Sequence, residues 1–134
     1  MPHLATYVAL ADRSEETLAD SLRAVADGHA RQADVFHTCR TLAAMSDEHR
    51  RELAPVVARY GEDRDVEEPA RLHADGLAGV REGEIGLLRD LQDLHVLATL
   101  VQTTWTVTCR VPRDCVTTSS WTSRPVATMR HRGN

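Results

Sequence analysis

Apolar residues recur at alternating three- and four-residue steps through three separate stretches of the chain, the pattern of helices that pack along one stripe. In the first stretch Leu4, Val8, Ala11, Leu18, Leu22, Val25 and His29 share one heptad phase, with Glu15 the charged intruder on the stripe. This predicts a helix over about residues 3–30, ended by Gly28 and the polar run His29 to Gln32. A rival helix starting at Ser14, whose hydroxyl would cap the amides of Glu16 or Thr17, is less favoured because one phase runs through both halves. A bend near Ser14 fits the long helix.

The second stretch places Val35, Cys39, Leu42, Ser46, His49, Leu53 and Val56 on a seam that follows Asp34, an N-cap residue type. Pro55 removes the hydrogen bond to Arg51, so this helix should kink or tighten there before stopping at Gly61. The short link between the two helices makes them antiparallel neighbours. Residues 61–83 are rich in acids and glycine and read as a crossover long enough to travel the height of a bundle. Leu72, Leu77 and Val80 would pin it to the outside, with a helical turn after Pro69. The third helix, about residues 84–108, has the strongest apolar face: Leu87, Leu91, Leu94, Ala98, Val101 and Trp105, with Leu88, His95 and Gln102 beside it.

A helical hairpin, a long crossover and a third helix that calls for a fourth is the topology of a ferritin-like bundle. The body resembles small ferritin-like proteins of high-GC bacteria in three strings: RSEETLAD from Arg13, DEHRRELAPVVARYG from Asp47, and LLRDLQDLHVLA from Leu87. The resemblance covers residues 4–108 and implies an all-α, up-down bundle. None of the three strings encodes a reaction, so it implies fold and no chemistry.

From Cys109 to Asn134 the chain becomes Thr, Ser, Arg and Pro without a helical stripe. The expected organisation is therefore a bundle body over 1–108 and an irregular tail over 109–134, with the fourth helix absent or aberrant. Two readings of the tail stand. It is a native, loosely packed segment, or, as we favour, an out-of-frame product. Back-translated with codons ending mostly in G or C and read from the third base of each codon, Asp114 to Ala127 can yield LRDDELLDVAARR. That string has the leucines and carboxylates a fourth helix needs, and the Trp121–Thr122 junction gives Asp whatever the Thr codon.

Composition agrees with the helical reading. Aromatic residues are only 4% of the chain, so helices must pack through small and aliphatic side chains. The bases are all Arg and the one Asn is Asn134, as a GC-rich gene would give. The formal charge of −4 divides into −8 over residues 1–108 and +4 over the tail. An acidic body argues against nucleic-acid and anionic-membrane partners. No stretch approaches the roughly 18 apolar residues of a membrane span, and no signal peptide is expected from the N-terminal residues. With Cys39, Cys109 and Cys115 one thiol stays unpaired in any disulfide scheme, so a reduced, cytoplasmic location is expected.

Candidate chemistry centres on seam histidines: His29, His49 and His95. Di-iron bundles use a Glu-x-x-His pair on each of two helices with a Glu from each of two others, and this chain has no Glu-x-x-His. Asp34-x-x-His37 and the reversed His49-x-x-Glu52 are the nearest substitutes. A mononuclear site built from His49 and His95 with Glu52 or Glu15 would hold iron, manganese or zinc; the competing reading is satisfied core or boundary histidines. His37 and Cys39, two residues apart on a helix, do not face each other, which argues against a nucleophile and base. The expected function is a non-enzymatic ferritin-like bundle without a cofactor. The alternatives are a metal-dependent oxidoreductase-type bundle and a module that presents a helical face. Three helices would leave an apolar stripe open, so a homodimer or a helical protein partner on the third-helix face is expected.

Overall fold

The computed structural model describes residues 2–60 and 74–110, in which α1 spans Pro2–Gly28, α2 Ala33–Tyr60 and α3 Gly83–Arg110, with no strand among the described residues. The chain is all-helical there. α1 is continuous, and Ser14 lies buried within it rather than capping a shorter helix. At the start of α2 the Phe36 amide bonds the Gln32 carbonyl at 2.9 Å and closes the first turn. Asp34 therefore sits inside that turn, not at the cap, and its Oδ1 accepts the Val35 amide at 2.9 Å. Its charge still meets the positive end of the helix. α2 continues through Pro55 to Tyr60; the expected stop at Gly61 lies outside the described residues.

Cross-helix pairs fix the directions. Asp12 with Arg50 and Asp27 with Arg40 show α1 and α2 antiparallel. Glu15 with Trp105 and His29 with Asp90 show α1 and α3 antiparallel as well. α2 and α3 thus run the same way, and the segment between them has to return along the bundle.

Its described part, residues 74–82, lies along α1. The Leu77 amide donates to Ser21 Oγ at 3.3 Å, and Leu77 packs against the core. At the end of α1 the approach is so close that a Cβ on Gly28 would lie 2.3 Å from Val80 Cγ1. Gly83 then turns the chain into α3 with φ of 78°, a left-handed conformation suited to glycine. Leu77 and Val80 hold the crossover to the bundle as their pattern predicts; Leu72 and the turn after Pro69 lie outside the described residues.

α1 is the central rod. Its Leu18, Leu22, Val25 and Ala26 meet Cys39 and Ala43 of α2 and Leu94, Leu97 and Val101 of α3 in the main core. A smaller cluster of Val8, Ala11 and Leu53 lies further along, and Trp105 packs against both. Each fully buried aliphatic side chain contributes about 1.5–3 kcal/mol relative to exposure. α2 and α3 each pack along α1 but make no comparable contact with each other. This arrangement explains two departures from the seams: Leu42, 42% exposed, and Ala98, also exposed, face the space between α2 and α3 rather than the core. α3 runs two residues past Thr108 to Arg110. The rest of the expected tail, and with it the fourth-helix question, lies outside the described residues.

Candidate functional site

Between α2 and α3, floored by α1, runs an apolar groove of about 620 Å³. Leu18 and Leu22 form its floor, Cys39, Leu42 and Met45 one wall, and Leu91, Leu94 and Ala98 the other. Polar groups line both ends, Asp34 and Thr38 at one and Glu15, Ser46, His49, Gln102 and Trp105 at the other. A concave apolar surface with a few placed polar groups, in the range of about 300–1,000 Å³, is the usual form of a ligand site.

Glu15 is the centre of that end. It is only 2% exposed on an otherwise apolar stripe of α1. Its Oε1 accepts the indole Nε1–H of Trp105 at 2.7 Å and the Nδ1–H of His49 at 3.1 Å. The two rings meet edge to face with centroids 6.3 Å apart. The other oxygen, Oε2, is buried with no hydrogen-bond partner among the described residues. A buried acceptor left this way costs about 1–3 kcal/mol unless something arrives to meet it. With Nδ1 engaged, a neutral His49 keeps Nε2 as an acceptor.

Of the four residues proposed as metal ligands from the sequence, the structure brings two together. Glu15 and His49 touch, and His95 stands on the α3 wall of the same groove. Glu52 is exposed and does not line it. No three His, Cys, Asp or Glu side chains among the described residues converge as metal ligands would. Trp105, expected on the apolar face of the third helix, is also the donor that holds Glu15, a pairing that spacing along neither helix could signal.

A second polar cluster locks the opposite end. His29 Nε2–H donates to Asp90 Oδ2 at 2.8 Å. The Arg81 amide donates to the same oxygen at 3.0 Å, and the Arg81 guanidinium reaches Asp90 Oδ1 and Asp93 Oδ2, both at 2.8 Å. Burial alone would raise the Asp90 pKa, but the bonds from His29 and from the Arg81 amide and guanidinium outweigh it and hold the carboxyl below the ordinary value. Asp90 is not among the candidate residues that the sequence singles out. It stands three residues after Leu87 and four before Leu94, on the buried side of α3. All its oxygens are used within the fold, so the cluster is a clamp on the crossover. Cys39 is free and buried, and burial pushes its thiol pKa up, the opposite of a reactive nucleophile.

Compared with protein-family models, curated proteins and solved structures, the chain shows no match. No helix among the described residues is long and apolar enough to cross a membrane.

Proposed function

We propose that this chain is a ferritin-like helical bundle protein with a non-enzymatic, binding role, and that the groove between α2 and α3 is where it binds. The short hairpin, the returning crossover and α3 running antiparallel to α1 support the ferritin-like reading. In such a bundle a fourth helix would stand in this groove. The observation that carries the binding role is the groove itself, with Leu42 and Met45 42% and 49% exposed on its α2 wall. The non-enzymatic reading is supported by Glu15 and His49, which bond each other instead of flanking a reacting centre.

Nile red, a neutral apolar dye, tests this. One dye per chain should bind with a blue shift, and Met45→Glu with Ala98→Glu should reduce the signal several-fold while helical circular dichroism is kept. A dye signal unmoved by that pair of changes sinks the reading.

A second reading, self-association through α3, has its own observation. Ile85, Leu88 and Val96 are 74%, 67% and 62% exposed, on the side of α3 turned away from α1. A helix apolar on both sides is ordinarily covered on both. Light scattering on a gel-filtration column should then give a dimer that Val96→Arg dissociates; a monomer at high concentration argues against it.

A further inference from the structure

We propose that the groove is a site for a cationic amphiphile, a primary alkylamine or arylalkylamine, whose ammonium group is received by Glu15. The proposal rests on the reading of the groove as the binding site and adds what the occupant must be. Three features converge on that chemistry.

First, the floor and walls are aliphatic and ask for a hydrocarbon body. From Leu91 to Trp105 the α3 wall runs about 20 Å at the rise of an α-helix, enough for a fully extended chain of ten or more carbons. Second, the Glu15 end offers an acceptor and asks for a donor. Glu15 lines the groove, is 2% exposed, and has Oε2 buried without a partner among the described residues, so an incoming donor has to push aside the side chains that cover that oxygen to reach it. A carboxylate oxygen accepts only, so an alcohol or ammonium can meet it and a fatty acid carboxylate cannot. Third, charge selects between the donors. Trp105 and His49 both donate to Oε1, which turns Glu15 into an oriented group rather than one free to swing away. An ammonium placed on the remaining oxygen forms a charge-assisted bond, shorter and roughly twice as strong as one from a neutral hydroxyl. Decanoate would bring a second negative charge to the same place.

At the far end Asp34 also lines the groove, but it is exposed, so an ammonium gains less from it than from the buried Glu15, and the clamp carboxylate is not part of the lining. Asp90 is already met by His29 and Arg81.

The test is isothermal titration of the full chain with n-decylamine, n-decanol and decanoate below their aggregation limits. Decylamine should bind one to one, at least tenfold more tightly than decanol, with decanoate weakest. Glu15→Gln should bring decylamine down to about the affinity of decanol. Met45→Arg with Ala98→Arg should weaken both. Decylamine and decanol binding equally to the unaltered chain overturns the amine proposal while the groove stands, and this comparison needs no variant, so a misfolded Glu15→Gln does not blunt it. Neither compound binding, or binding that ignores the Met45 and Ala98 changes, overturns the groove reading and the proposal together. A groove closed by a helix of a second copy would show as a dimer that decylamine fails to dissociate and fails to bind, which also overturns the proposal.

Discussion

The imidazole of His29, the residue that follows α1, donates from Nε2 to Asp90 Oδ2 of α3 across 2.8 Å, though the two residues are 61 apart in the chain. The bond joins the end of the first helix to the start of the third, with Arg81 completing the shell around a fully buried carboxylate. Asp90→Ala leaves His29 and the Arg81 amide without their acceptor. It should cost roughly 3 kcal/mol in urea unfolding, the usual scale for breaking a buried pair from one side.

The same carboxyl sets an acid limit on stability. Its folded pKa lies below that of an unfolded aspartate, about 3.9, so the folded state holds the proton less tightly. Its contribution is complete above the unfolded value and is lost as pH falls through the lower folded value. Between pH 5 and pH 2 the unfolding free energy of Asp90→Asn should fall less steeply than that of the unaltered chain. Equal slopes would show that Asp90 is not the group responsible.

Trp105→Phe keeps most of the ring and removes the donor to Glu15 Oε1. A loss of about 2 kcal/mol is expected, the cost of one missing bond to a buried carboxylate. Combined with Glu15→Leu the two losses should not add, because both remove the same bond. Additive losses in a double-mutant cycle would mean that the indole acts by packing alone.

Gly28→Ala puts a methyl group 2.3 Å from Val80 Cγ1, and a β-branched side chain cannot swing clear. Destabilisation of about 1–3 kcal/mol is expected, against the gain that alanine normally brings to a helix. Val80→Ala in the same chain should restore most of it. Failure of that rescue would place residue 80 elsewhere.

Ser14 Oγ is buried without a hydrogen-bond partner among the described residues. Ser14→Ala removes an unsatisfied hydroxyl and improves helix propensity, so thermal unfolding should shift upward by the equivalent of about 1 kcal/mol. A downward shift would reveal a partner for the hydroxyl.

Cys39 is buried with its thiol pKa raised, whereas Cys109 is exposed. Iodoacetamide at pH 8 should label Cys109 well before Cys39, as peptide mapping by mass spectrometry can show. Faster labelling of Cys39 would mean that the groove opens further than it does here.

Hydrophobic spacing by itself determined the three helices, their antiparallel hairpin, and the crossover held by Leu77 and Val80, because a stripe of period near 3.6 can be buried in only one way along a rod. It also placed Glu15 and His49 on facing seams, the two residues that do meet. Spacing along one helix says nothing of how far apart two other helices stand. Only the tertiary structure decided that α2 and α3 lean on α1 without closing on each other, which leaves Leu42 and Ala98 in a groove instead of a core. The partners of Glu15 and Asp90 were decided there too. A buried charge is satisfied by whatever donor the fold brings within about 3 Å, and those donors, Trp105, His29 and Arg81, come from other segments of the chain.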